Sequence, residues 1–322
     1  METKSKTITT NNKLKPILVT GSHRSGTTWV GRMLTVSPAL YYVHEPFNPN
    51  HPPGAGICNI RIKTWFKYIT EENQQEYLRP IQDMLDGKYS LLRDLKTVRS
   101  KRTLKQVLKR AKQFKTYQTQ HRTPLIKDPI ALFSAPWFYK NLDCRIVIMI
   151  RHPAAFVNSM RTLGWHFDFS FFLEQPLLLR DLLPGYEDEL RMEQEKLASP
   201  EHFSFIKHGA IFWNLMYHTI KNYQENYPDW HFLRHEDISS QPIDKFRRLY
   251  TSLGLNWNQE IEQTINQNCT SENSASPLFY VTKRDSQREI GKYKLSLTPS
   301  EIDQIREITQ DISQHFYTDE EW

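Results

Sequence analysis

The sequence is poor in cysteine: Cys58, Cys144 and Cys269 are the three in 322 residues, far apart and without a CxxC pair. That excludes a disulfide scaffold and a zinc cluster of ordinary ligand spacing, so the residue pattern implies no metal and a reducing compartment is expected. Long apolar runs are missing too. No stretch approaches the roughly 20 apolar residues that a membrane helix needs. Residues 1–15 are polar and basic, without the apolar segment of a signal peptide. The expectation is a soluble, cytoplasmic chain without a transmembrane segment. Charge of one sign is also scarce: 42 Lys+Arg against 36 Asp+Glu leaves +6. So mild an excess suits anionic ligands and demands neither a nucleic acid nor a membrane surface. Internal repeats and low-complexity tracts are absent as well.

What remains is an ordinary globular composition, 39% hydrophobic and 12% aromatic, long enough for one large core. Pro16 to Thr20 is a short β-branched run that stops at Gly21, and a Gly/Ser/Thr stretch leads from it into Trp29, Val30, Met33 and Leu34 at helical spacing. Further strands are expected at Pro124–Ile126, at Arg145–Ile150 and at Trp230–Arg234. Helices are expected after Pro153, over Phe205–Tyr223, and from Pro242 to Leu253 with Gly254 as terminator. Residues 85–116 predict one or two basic amphipathic helices. Strands alternating with helices imply parallel crossovers, hence an α/β fold of three layers around a mainly parallel central sheet. We read residues 1–15 as a polar tail and 16–322 as one domain, with helical insertions around 60–122 and 165–200.

Gly21-Ser22-His23-Arg24-Ser25-Gly26-Thr27-Thr28 has P-loop spacing, follows a strand and opens a helix, so its N–H groups are placed to cradle a phosphate. A glycine-rich turn that only caps the helix is the plainer alternative. Thr27 occupies the position of the nucleoside-triphosphatase lysine, and the nearest cation is Arg24 inside the loop, which argues against a P-loop kinase or a nucleotide hydrolase.

His23 to Trp29 resembles the 5'-phosphosulfate loop of sulfotransferases that use 3'-phosphoadenosine 5'-phosphosulfate (PAPS). A second element of that family is a strand ending in Arg, a Pro-containing turn, and a Ser eight positions after the Arg; Arg145 to Ser159 carries it as Arg151, Pro153 and Ser159. The resemblance implies a PAPS site made by Arg24, Ser25, Gly26, Thr27, Thr28 and Trp29, with Trp29 on or near the adenine and Arg151 and Ser159 on the 3'-phosphate. A guanidinium and a hydroxyl suit that last task. Weaker likeness continues through Leu233–Ile238 and through Arg284–Leu297, where Arg284 and Arg288 compete as an extra 3'-phosphate contact. The implied activity is transfer of a sulfonate from PAPS to a hydroxyl or amine, releasing 3',5'-bisphosphoadenosine (PAP). A noncatalytic PAPS- or polyanion-binding protein is the rival reading.

Sulfuryl transfer needs in-line geometry, stabilisation of the leaving oxygen and removal of a proton. The resemblance gives Arg24 the second task. The histidine that cytosolic members carry after the second strand is missing, since Leu125-Ile126-Lys127-Asp128-Pro129 stands there. Glu45, in Val43-His44-Glu45-Pro46, resembles the Glu-Pro of sugar-acting branches and is the first candidate base, with His44, Lys127 and Asp128 as alternatives. The acceptor is left open among a glycan, a lipid or another small molecule. The basic stretch from Lys88 to Arg122 suits an acidic acceptor, a membrane surface or a solvated helix face, and Trp165–Pro184 suits an apolar lid, an acceptor pocket or ordinary core.

Overall fold

Alternation along the strands decides which side chains serve which face. In the computed structural model, which describes residues 14–51, 53–197, 201, 203–269 and 290–322, β1 (Ile17–Gly21) sends Ile17 and Val19 into one apolar cluster and Leu18 into another. β4 (Arg145–Ile150) divides in the same way, with Ile146, Ile148 and Ile150 on one side and Val147 and Met149 on the other. A sheet apolar on both faces must be covered on both. β2 (Leu40–His44), β3 (Thr123–Lys127) and β5 (His231–Arg234) complete a sheet of order β2-β3-β1-β4-β5, every described pairing parallel.

Helix α1 (Thr27–Leu34) follows β1. Then come α2 (Leu78–Leu85), α3 (Leu91–Leu95), α4 (Lys101–Thr119), α5 (Ala135–Leu142), α6 (Pro153–Thr162), α7 (Ser170–Leu173), α8 (Pro176–Asp181), α9 (Glu187–Leu197) and α10 (Phe205–Asn226). The chain continues through α11 (His235–Ser240), α12 (Pro242–Ser252), α13 (Gln259–Cys269) and α14 (Pro299–Ser313). Residues of α1, α11, α12 and α13 pack on the Ile17/Val19 face, and residues of α2, α5, α6, α10 and α14 on the Leu18 face. The result is the three-layer α/β architecture that the alternation predicts.

Local chemistry sets the element ends. Pro153 and Pro242 begin α6 and α12, where a missing N–H costs no helical bond. Gly254, at φ 71°, closes α12: its N–H reaches Thr251 O and the next N–H reaches Tyr250 O, the paired bonds of a Schellman end. The basic stretch divides at Lys96–Ser100, and Ser100 and Thr103 form a capping box that starts α4.

Candidate active site

Parallel strands deliver their carboxyl ends to one edge, and here Gly21, His44, Lys127, Ile150 and Arg234 share it. The chain leaves β1 toward β2 and β3 on one side, then crosses to β4 on the other, so the switch point adjoins β1, where open α/β sheets bind ligands. A cavity of about 560 Å³ lies there. A second, of about 650 Å³, lies at the opposite edge around Lys15, Arg122 and Asp143, and none of the motif residues lines it.

The loop before α1 owes its shape to two glycines. A Cβ on Gly21 (φ 140°) would sit 2.4 Å from the Met149 carbonyl oxygen, and one on Gly26 (φ 95°) 2.8 Å from the His235 ring. Glycine lets the backbone approach β4 and α11 this closely. Ser25 Oγ donates to Ser22 O at 2.6 Å across the turn. By helix geometry the N–H groups of Thr27, Thr28 and Trp29 have no acceptor within α1, which makes this end a positive cradle for a phosphate.

Arg24 adopts φ 61° and donates from Nε to Ser159 Oγ at 3.0 Å. A guanidinium nitrogen of Arg151 donates to the Arg24 carbonyl oxygen. Three residues from two distant motifs thus meet beside the loop, and Arg24 and Arg151 both line the cavity. Trp165 faces the Arg24 guanidinium at 6.0 Å. Trp29 is buried between Phe246 and His235, with ring centroids 5.5 and 5.9 Å away, and still reaches the cavity wall. Arg284 and Arg288 lie outside the described residues.

Of the candidate bases, Glu45 and Lys127 line the cavity and form an ion pair with each other. Glu45 sits at φ 42°, and its other carboxylate oxygen accepts from Asn48 Nδ2 at 2.7 Å. Burial pushes the Glu45 pKa up, but the charge and hydrogen bond of Lys127, with His44 and Asn48, more than offset this and hold it below the usual carboxylate value. Asp128 is fully buried and faces away: Oδ2 accepts from Phe47 N at 2.7 Å and Oδ1 from Ile130 N at 2.9 Å. Burial, then the Glu45 charge, push it up to about 7, against those two N–H donors. His44 stacks on Tyr42 and does not line the cavity.

Several participants carry no motif signal. Tyr217 on α10 accepts from the Arg151 backbone N–H at 2.6 Å and lies 3.1 Å from Ser22 Oγ, while Trp213 Nε1 donates to the Arg151 carbonyl at 3.0 Å. One helix therefore grips both the phosphate loop and the end of β4. His23 packs among Trp65, Phe66 and Phe167, and burial lowers its pKa to about 4. The Trp165–Pro184 stretch divides its duties: Trp165, His166 and Phe167 line the cavity, whereas Phe169, Phe172, Leu178 and Leu183 are core.

A phosphate loop between a parallel strand and a helix, faced by a second arginine and a serine, defines a nucleotide-phosphate-binding α/β protein. The chain belongs to the sulfotransferase domain family, whose model matches residues 14–318. Membership carries the family's donor class, PAPS with PAP as product. Carbohydrate sulfotransferase 2 of Mus musculus and that of Homo sapiens are each 26% identical over 196 residues, 57% of this chain and 34% of theirs. The aligned part is thus about a third of the length of these relatives. The sulfotransferase domain from the curacin biosynthetic pathway is similar at 15% identity and TM-score 0.46, covering 95% of this chain and 98% of that one. A mouse sulfotransferase complexed with PAP is similar at 13% identity and TM-score 0.42, covering 94% and 84%. Likenesses this distant carry no further argument.

Proposed function

We propose that the protein transfers the sulfonate of PAPS to a carbohydrate hydroxyl. The observation that carries the donor half is the meeting of Arg24, Arg151 and Ser159 beside the glycine-shaped loop, two cations and a hydroxyl for a ligand with two separated phosphate groups. In the transfer, the acceptor oxygen forms a bond to sulfur as the bond from sulfur to the bridging phosphate oxygen breaks. Arg24 and the first N–H groups of α1 receive the charge developing on that leaving oxygen. The acceptor proton passes to Glu45, which is the carboxylate among the described residues of the cavity wall. Lys127 keeps Glu45 ionised and oriented before transfer.

The carbohydrate acceptor is supported by the cavity lining, where Trp65 and Trp165 lie beside the loop residues His23 and Arg24 and Asn50 adds an amide. It is supported also by the likeness to the carbohydrate sulfotransferases of mouse and human. Calorimetric titration with PAP, 5'-AMP and ATP, on wild type and Arg151→Ala, tests the donor site. Tight binding that needs both the 3'-phosphate and Arg151 is expected; tighter binding of ATP, or indifference to the 3'-phosphate, refutes it. Transfer of labelled sulfonate to a panel of sugars then tests the acceptor.

A further inference from the structure

The helices α3 and α4 carry charge that the cavity does not use. Residues 101–119 hold seven Lys and Arg and no Asp or Glu. The nearest acid, Asp94, is turned inward: it is fully buried, accepts from Tyr89 OH at 2.6 Å and pairs with Arg110 Nε at 2.8 Å. That cluster holds α3 and α4 together and leaves Arg110 facing in. The remaining cations of α4 point to solvent. At 3.6 residues per turn, Lys101, Lys105, Lys109 and Lys112 fall within about an 80° arc, with Leu104 and Leu108 on its margin. The opposite side is the buried one, carrying Val107 and Phe114.

The leucines separate two readings of this face. A site for a soluble polyanion needs cations alone, and apolar side chains left in water add nothing to it. Here Leu108 is 52% exposed beside the lysines, and Leu92 on the neighbouring α3 is 77% exposed. Exposed leucines flanked by lysines match the interface of a bilayer, where acyl chains receive the apolar groups and anionic headgroups receive the ammonium groups. No helix among the described residues is long and apolar enough to cross a membrane. We propose that α3 and α4 form a peripheral docking surface for anionic lipid bilayers, separate from the donor site.

Co-sedimentation of the full chain with phosphatidylcholine vesicles, with and without phosphatidylserine, tests this. Binding is expected only with phosphatidylserine and is expected to fall as salt is raised. With about fivefold in affinity per near-surface cation, the Lys105→Glu/Lys109→Glu/Lys112→Glu variant loses about a hundredfold or more. Leu104→Ser/Leu108→Ser loses about tenfold, since the apolar contribution scales with inserted area. Both variants keep wild-type PAP affinity and circular dichroism, which shows that they fold. The proposal is overturned by an absence of vesicle binding, or by vesicle binding indifferent to the leucine pair and abolished equally by heparin, which marks a polyanion site. It is overturned also if sedimentation velocity shows the same variants turning a dimer into a monomer, which marks a face for a second copy.

Discussion

Removing one oxygen atom, in Tyr217→Phe, should uncouple the two halves of the donor site. The Tyr217 hydroxyl oxygen accepts from the Arg151 N–H and shares a hydrogen bond with Ser22 Oγ, so a single atom ties the end of β4 to the phosphate loop. Phenylalanine preserves the ring and its stack on Trp213, 3.9 Å between centroids, but leaves the Arg151 N–H without its acceptor. A buried donor so stranded costs about 1–3 kcal/mol. Denaturant unfolding should show that loss with an unchanged slope. The released turn must be ordered again when the 3'-phosphate arrives, so PAP should bind about tenfold more weakly, on the order of 1.4 kcal/mol. Affinity for 5'-AMP, which makes no demand on Arg151, should change much less. The fall in the PAP-to-AMP ratio distinguishes positioning from loss of stability. Ser22→Ala, alone and combined with Tyr217→Phe, supplies a cycle in which non-additivity above about 0.5 kcal/mol is expected. Parallel losses for both ligands, or no loss for either, would refute the reasoning.

Lys127→Met should destabilise the protein by about 3–5 kcal/mol at neutral pH, because it strands the Glu45 carboxylate in a largely buried position. The folded Glu45 pKa lies below the ordinary glutamate value, so the pair's contribution is present in full above that ordinary value and is lost as pH falls through the folded one; wild type and variant should converge in acid unfolding curves. Asp128→Asn should cost about 1–3 kcal/mol in chemical denaturation, because its amide must turn an N–H toward the Phe47 or the Ile130 N–H; an unchanged midpoint would contradict the two-acceptor geometry. Burial holds His23 and His208 down to about 4 and His152 to about 3, from 6.5, so each takes stability from the fold as pH drops below 6.5, a loss that stops growing near those folded values and stays at its full size below them. Among the described residues neither ring nitrogen of His152 has a hydrogen-bond partner, and the ring lies stacked on Tyr293, 4.9 Å between centroids, so His152→Phe should lower the proton uptake on unfolding in that window by about one. Unfolding midpoints measured across the window check this.

The sequence was most legible where chemistry is local. β1, the glycine loop and α1 are adjacent in the chain, and β-branched alternation, turn glycines and helical spacing each act over a few residues. Arg151 and Ser159 belong to one strand–turn–helix unit, but local pattern alone reads them as a strand-end arginine and a helix serine, and it is the family resemblance that singles them out. β2 is hard to read from the sequence although Tyr41, Tyr42 and Val43 carry an ordinary strand signal, because that short run lies just beyond a helix and close to the Glu-Pro turn. Tyr217 was out of reach for a different reason: its value lies in contacts 66 and 195 residues away, and within α10 it reads as one more core aromatic. Asp128 reads as a candidate base because a sequence shows an acid but not the two backbone N–H groups that occupy it. Arg284 and Arg288, between which the resemblance leaves a further 3'-phosphate contact open, fall outside the described residues.

Arg24 and Glu45, the two residues to which we assign the transfer chemistry under the proposed function, both hold positive φ, a conformation that glycine adopts freely and that costs other residues about 1–3 kcal/mol. Stability and activity therefore pull in opposite directions at these positions. Selection for heat resistance alone would favour glycine at position 24, and survivors of such a screen would be tougher and inert. Efforts to harden this protein should look to surface helices and loop ends, and leave the two left-handed positions alone.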